Sequence, residues 1–129
     1  MRFMMFMYPG VEEEGWEPAV ETFDAMSRYN EELRKAGMLL TLDGLHPPSD
    51  GGTVRFSADG EPTVTDGPFA EAKEVVGGYW LIQARSKEEA LEWARRCPGR
   101  NCAVEVRRVQ ELDDFPQEVQ DLIQSNESP

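Results

Sequence analysis

The chain has 129 residues, enough for one domain to bury a core without disulfide or metal staples. Its 25 acidic and 13 basic residues give a net charge of −12, and without a basic stripe this argues against binding to nucleic acid. The apolar start, Met1 to Tyr8, is too short for a membrane span and lacks a signal-peptide cleavage site. We therefore expect a cytoplasmic protein with no membrane partner.

The first part of the sequence predicts a strand, a helix and a second strand. Arg2 to Tyr8 is apolar at both odd and even positions, as in a strand that is covered on both faces. From Pro18 to Ala36 apolar residues recur at helical spacing, with Tyr29 and Asn30 interrupting or flanking the apolar stripe. We expect these two side chains on a helix flank at the surface, and the alternative is that they face a cavity. Met38 to Leu42 follows as the second strand.

An inserted β-hairpin is predicted next. Thr53 to Ser57 and Glu61 to Thr65 have strand character, and Ala58-Asp59-Gly60 between them is a turn sequence. The two ends of a hairpin lie close together. The insertion should therefore bring Asp66 back towards the loop that carries His46.

The remaining sequence predicts a strand, a helix and a final strand. Val76 to Ala84 is apolar or aromatic at both odd and even positions, as in a strand. Ser86 to Glu89 is a capping box that begins a helix. Ala103 to Val109 alternates as a strand with one polar side. We assign residues 1–112 to one domain and residues 113–129 to a tail with a short helix at Gln117 to Gln124.

Without the hairpin, this order is βαββαβ, which predicts a ferredoxin-like α+β fold. Two helices cover one face of the sheet in that fold, yet the first and third core strands are apolar on both faces. We therefore predict a homodimer that packs sheet against sheet. The residues expected to supply the excess apolar surface are Phe3, Met5, Phe6, Met7, Tyr79 and Trp80.

Two motifs stand apart because core packing alone does not require them. The motif after the hairpin reads Asp66-Gly67-Pro68-Phe69, followed by Ala70-Glu71, Lys73-Glu74 and Gly77-Gly78-Tyr79, and the motif before it reads Asp43-Gly44-Leu45-His46-Pro47-Pro48. Together they resemble the signature of the YCII-related family, in its D-G-P-F branch. The resemblance covers roughly residues 1 to 110, about the span of one small domain.

This resemblance implies a dimeric α+β barrel and, by analogy, a small-molecule-binding protein with lyase or isomerase activity on aromatic or ring-derived substrates. Relatives of the D-G-P-F type are associated with alternative sigma factors. That association implies instead a non-enzymatic accessory module with a regulatory protein partner. Family members thought to be enzymes have a histidine in the first helix, but the corresponding place here is near Met26, so that catalytic pair is not carried over.

The polar residues near the motifs form a candidate site. We interpret His46 and Asp66 as a candidate catalytic pair, because a carboxylate fixes the imidazole tautomer and raises its basicity. Tyr79, Glu74 and Phe69 are candidate ligand-binding residues, and we expect Phe69 to be buried at or beside the dimer interface. The alternatives are a loop histidine that only hydrogen-bonds the backbone and an aspartate that only shapes its turn.

No metal site or cofactor is predicted. A structural zinc site needs four ligands, whereas the chain has two cysteines, Cys97 and Cys102, and one histidine. We interpret the cysteines as small thiols at a helix end and a strand start. A third hypothesis, a metal-dependent enzyme, would use His46 with Asp43, Asp50 or Asp66.

Overall fold

A computed structural model describes residues 1–67 and 74–127, and it confirms the ferredoxin-like α+β fold. Four strands form an antiparallel sheet in the order β2-β5-β1-β6, and the inserted hairpin β3–β4 forms a separate sheet. The elements are β1 (Arg2–Tyr8), α1 (Val20–Lys35), β2 (Leu39–Gly44), β3 (Gly52–Phe56), β4 (Pro62–Asp66), β5 (Gly78–Gln83), α2 (Lys87–Arg95), β6 (Ala103–Arg108) and α3 (Gln117–Glu127).

One face of the four-stranded sheet packs against α1 and α2. Successive side chains of a strand point to opposite faces, so the buried residues of β1 and of β5 lie two positions apart. Side chains of both helices complete the core on this face. The buried core cluster consists of Phe3, Met5, Tyr29, Leu33, Met38, Trp80, Ile82, Ala84 and Ala90.

The opposite face, called the open face below, holds none of the buried hydrophobic residues of the described strands. Its centre is a block of four half-buried side chains, in which Met4 lies opposite Leu81 and Phe6 lies opposite Tyr79. The second apolar face that the sequence predicts is therefore present. The open face comprises Arg2, Met4, Phe6 and Tyr8 of β1, Thr41 and Asp43 of β2, Tyr79, Leu81 and Gln83 of β5, and Ala103, Glu105 and Arg107 of β6.

The sequence prediction put several residues on the wrong face. Of the six residues expected to supply the dimer surface, Phe6 and Tyr79 lie on the open face. The other four point towards the helices, because side chains alternate between the two faces of a strand and these positions lie on the face that packs into the core. These four are Phe3, Met5, Met7 and Trp80, which lie in the core cluster or pack against it.

The expectation that Tyr29 and Asn30 lie at the surface is wrong for Tyr29, which is buried, whereas Asn30 is half-buried. Tyr29 is 3% exposed, its hydroxyl donates to the Trp93 carbonyl at 2.7 Å, and its ring meets Trp80 edge to face. Asn30 Oδ1 accepts a hydrogen bond of 2.7 Å from the Trp80 indole N–H. Both polar tips are therefore satisfied, which removes the cost of placing them at the core boundary.

The hairpin and the C-terminal helix follow the predicted order with shifted bounds. In the hairpin each strand is displaced by one residue, and the pairing runs from Gly52 opposite Asp66 to Phe56 opposite Pro62. α3 continues to Glu127, beyond the predicted end at Gln124. Among the helices described, none is long and apolar enough to cross a membrane.

Candidate functional site

The two sequence motifs meet where β2 ends and β5 begins. Gly44 lies opposite Gly78 in the sheet, and beyond them the Leu45 N–H donates to the Gly77 carbonyl at 2.9 Å. The Gly77 N–H in turn donates to the Met7 carbonyl at 2.7 Å. Hydrogen bonds of the main chain thus hold the D-G-L-H and G-G-Y segments side by side at one end of the sheet.

A glycine is required at position 78 because two backbones approach closely there. A Cβ at Gly78 would lie 2.9 Å from the Asp43 carbonyl oxygen and 3.3 Å from the Gly44 Cα. Both contacts are with main chain, so relief of the clash must move β2 away from β5. A Cβ at Gly44, by contrast, would meet nothing within 4 Å.

We expect Gly78→Ala to lower the free energy of unfolding by about 1–3 kcal/mol, the usual cost of overpacking. Gly44→Ala, on the neighbouring strand, is the matched control and should change it by no more than about 0.5 kcal/mol. Urea denaturation followed by tryptophan fluorescence measures both. Equal effects of the two substitutions would show that the close approach at Gly78 does not constrain the sheet.

The side chains of Tyr79 and Asp43 form a hydrogen-bonded pair on the open face. These residues lie directly opposite each other in β5 and β2, and the Tyr79 hydroxyl donates to Asp43 Oδ2 at 2.7 Å. This hydrogen bond raises the pKa of Tyr79 above its ordinary value of 10.0, with smaller contributions in the same direction from desolvation and the Asp43 charge. Tyr79 therefore remains a hydrogen-bond donor throughout the neutral pH range.

A second phenol–carboxylate pair lies on the same face, two strands away. The Tyr8 hydroxyl donates to Glu105 Oε1 at 2.7 Å, between β1 and β6. This hydrogen bond is the largest factor that raises the pKa of Tyr8. The half-buried block of Met4, Phe6 and Leu81 lies between the strands that carry Asp43 and Glu105.

His46 lies on the loop after β2, and the carboxylate of Asp50 lies beside it. The His46 Nδ1 is 3.7 Å from Asp50 Oδ2, and the two side chains are 86% and 67% exposed, so water screens this pair. The base of the hairpin is joined to the same loop, because the Gly67 N–H donates to the Gly51 carbonyl at 3.2 Å. The predicted convergence of the hairpin ends is thus confirmed, whereas a ligand shared by His46 and Asp66 stays a prediction.

The other candidate ligand-binding residues flank the part of the chain that is not described. Glu74 is exposed and begins the described segment that leads into β5. Phe69 lies outside the described residues. Sequence reasoning missed Trp16, whose indole N–H donates to the Leu45 carbonyl at 2.9 Å and so connects the turn after β1 to the His46 loop. A tryptophan inside a run of glutamates was the available signal.

Comparison with known proteins bears on the same segments. The sequence model of a protein family, the YCII-related domain, matches residues 1–113 of this chain, and these include every described residue of the site. The chain belongs to the YCII-related family. A relative in Rhizobium meliloti (strain 1021), itself an uncharacterised protein, is 41% identical over 76 residues. That alignment covers 59% of this chain and 60% of the relative's length, so the match spans about three fifths of each.

In this YCII-related chain, residues 1–67 and 74–127 bring together no group of three or more His, Cys, Asp or Glu side chains that could hold a metal ion. The cysteines match their predicted positions at a helix end and a strand start. Cys97 packs against the core, and burial is the main cause that raises its pKa to about 11. Its thiol is therefore protonated near neutral pH and is a weak nucleophile.

Proposed function

We propose that this YCII-related protein binds a small ring-derived carbonyl compound on its open face and acts on it as a lyase or isomerase. One observation carries the proposal: the Tyr79 hydroxyl and the Asp43 carboxylate are 2.7 Å apart on a sheet face outside the buried core. A donor and a proton acceptor are thereby held at one place. The apolar side chains beside them, Phe6 and Leu81, suit a ring.

Each member of the pair has a chemical role in this proposal. The Asp43 carboxylate takes a proton from the carbon next to the substrate carbonyl, and the electron pair moves onto the carbonyl oxygen. The Tyr79 hydroxyl has one proton, so on substrate binding it turns away from Asp43 and donates that hydrogen bond to the developing oxyanion, which stabilises the negative charge. Return of the proton from Asp43 to another carbon completes an isomerisation. His46 and Asp66, near the same end of the sheet, are proposed to orient the ligand at the mouth of the site.

A second copy of the chain is proposed to cover the open face. The chain has a net charge of −12, yet the strands of this face carry two charged residues of each sign, Arg2, Asp43, Glu105 and Arg107, and the Glu111 carboxylate that pairs with Arg2 adds one negative charge. A second copy can therefore approach here without the like-charge repulsion that the rest of the acidic surface would impose. Covering the face also excludes water from the Tyr79–Asp43 pair, which strengthens its electrostatic effect on a bound substrate.

Proton exchange with solvent tests this proposal. In D₂O, the protein should accelerate deuterium incorporation next to the carbonyl of some members of a panel of cyclic ketones and unsaturated lactones, as followed by NMR. Asp43→Asn should abolish the acceleration, and Tyr79→Phe should reduce it by about 100- to 1,000-fold, because it removes one oxyanion donor. Tyr8→Phe, which breaks the similar pair on β1 and β6, is the matched control and should leave it unchanged.

Two results would contradict the proposal. Acceleration that persists in Asp43→Asn would remove Asp43 from the role of base. The absence of both binding and exchange across the whole panel, with the protein folded, would leave the open face without the proposed ligand class.

A further inference from the structure

The β3–β4 hairpin has one apolar face that the described part of the chain leaves exposed. Residues directly opposite in a hairpin share a face, and Val54 pairs with Val64 while Phe56 pairs with Pro62. The exposed fractions of Val54, Phe56 and Val64 are 49%, 69% and 68%. The other face is polar, since Thr53 pairs with Thr65 and Arg55 pairs with Thr63. The hairpin is therefore amphipathic.

This hairpin needs support from outside itself. Every residue of β3 and β4 is exposed, and among the described elements the contacts of these strands are chiefly with each other. An isolated two-stranded hairpin is marginally stable in water, and further stability comes from packing its apolar face against another layer. An exposed apolar strand face also promotes unwanted association unless a specific partner covers it.

We propose that the hairpin is a dimerisation arm, whose apolar face packs on the open face of a second copy beside the Tyr79–Asp43 pair. This inference rests on the homodimer proposed above. The position of the arm supports it, because the Gly67–Gly51 hydrogen bond fixes its base to the loop that follows Asp43 and Gly44. The arm thus stands at the end of the sheet where the candidate site lies.

The size of the open face also favours a second copy as the occupant. A stable interface buries about 800 Å² on each partner. The centre of the open face offers four side chains that are already half-buried, so association through these four alone would bury only the part of each that is still exposed. The arm adds Val54, Phe56 and Val64 from each copy. In a two-fold dimer each arm then covers the partner's sheet, so both exposed apolar surfaces are buried in both copies.

The charges on the apolar face of the arm and on the open face of the sheet are also compatible with contact between two copies of the chain. The apolar face of the arm carries one charged residue, Asp66, at its base, and the strands of the open face carry two charges of each sign, with one further carboxylate, Glu111, paired to Arg2. Apolar contact between copies is therefore not opposed by the net charge of −12.

An isosteric exchange of valine and threonine tests the arm. The double variant Val54→Thr/Val64→Thr changes the cross-strand pair on the apolar face and keeps both residues β-branched, so strand propensity is retained. Sedimentation equilibrium should show the dimer dissociation constant raised at least tenfold. The matched control is Thr53→Val/Thr65→Val, the adjacent pair on the polar face, and it should leave the constant within about twofold of wild type.

Hydrogen exchange gives a second readout in the wild-type protein. Because the arm is marginal alone, its amides should be protected above the dimer dissociation constant and should lose protection on dilution below it. Protection that does not depend on protein concentration would overturn the proposal. So would an equal dimer affinity of the Val54→Thr/Val64→Thr variant and wild type.

Mixing two variants distinguishes the arm from the dimer on which it rests. Leu81→Glu impairs the sheet face and Val54→Thr/Val64→Thr impairs the arm, so a mixed dimer keeps one intact arm-on-sheet contact. In this mixture the arm substitutions should weaken association less than they weaken self-association, because the contact between the substituted arm and the sheet that carries Leu81→Glu is already lost. If Leu81→Glu dissociates the dimer but Val54→Thr/Val64→Thr self-associates like wild type, the arm proposal is wrong and the sheet dimer stands. If the wild-type protein is monomeric at all concentrations, both the arm and the sheet dimer are wrong. The apolar face of the hairpin would then be available to bind a different protein.

Discussion

Ile82→Ala should lower the free energy of unfolding by about 2–5 kcal/mol, the range for truncation of a buried aliphatic side chain. Ile82 is 0% exposed and lies opposite Phe3 in β1 and Leu39 in β2, at the centre of the core under the two helices. Strands on both sides fix its surroundings, so little collapse can fill the space that alanine leaves.

Urea denaturation at one fixed protein concentration measures this cost, with Leu122→Ala as the control. Leu122 is 59% exposed on α3, so its truncation should change the free energy of unfolding by no more than about 0.5 kcal/mol. A cost below about 1 kcal/mol for Ile82→Ala would mean that the core does not lie between this strand and the helices.

The order of elements could be predicted because the signals for it are local. Turn residues and capping residues mark the ends of the helices and strands within a few positions, and the Ser86 Oγ indeed accepts from the Glu89 N–H at 3.1 Å. The hairpin followed from a short turn between two strand-like segments. Each of these features depends on residues that are neighbours in sequence.

The sequence could not predict which face of the sheet packs against the helices, because β1 and β5 are apolar at both odd and even positions. For such strands the pattern does not distinguish the side chains that meet the helices from those on the opposite face. The decision lies with side chains on α1, where Tyr29 and Asn30 bind Trp93 and Trp80 through their polar atoms. Helical periodicity treats these residues as polar and so places them outside the core, although each can bury most of its surface with its polar tip satisfied.

The side-chain contacts of the candidate site residues could not be predicted. The motifs directed attention to Tyr79 and His46, and the carboxylates beside them are those of Asp43 and Asp50. Asp43 is 36 residues from Tyr79 in sequence, and only the register of β2 on β5 places the two side by side. Such a register depends on the bulge between Leu39 and Thr41 as well as on hydrophobic pattern, and the sequence alone does not reveal the bulge.

Leu81 and Ile82 are neighbours on β5 with side chains on opposite faces. Substitution of Ile82 should therefore lower folding stability, whereas substitution of Leu81 should weaken the dimer. Leu81→Glu should leave the monomer folded, because the side chain at position 81 is half-buried in one copy and does not belong to the buried core. In the proposed dimer the same side chain lies in the interface. A carboxylate there loses its hydration without a dedicated cationic partner, which costs several kcal/mol.

We therefore expect Leu81→Glu to raise the dimer dissociation constant at least 100-fold, since each tenfold change corresponds to about 1.4 kcal/mol. Sedimentation velocity across the micromolar range measures the dissociation, and circular dichroism verifies the fold. The matched control is Leu91→Glu, the same substitution at a residue that is 42% exposed on α2, which packs on the opposite face of the sheet. It should leave the dimer intact. If both variants remain dimeric with wild-type affinity, the copies do not associate through the open face, and the Tyr79–Asp43 pair is exposed to solvent in the assembled protein.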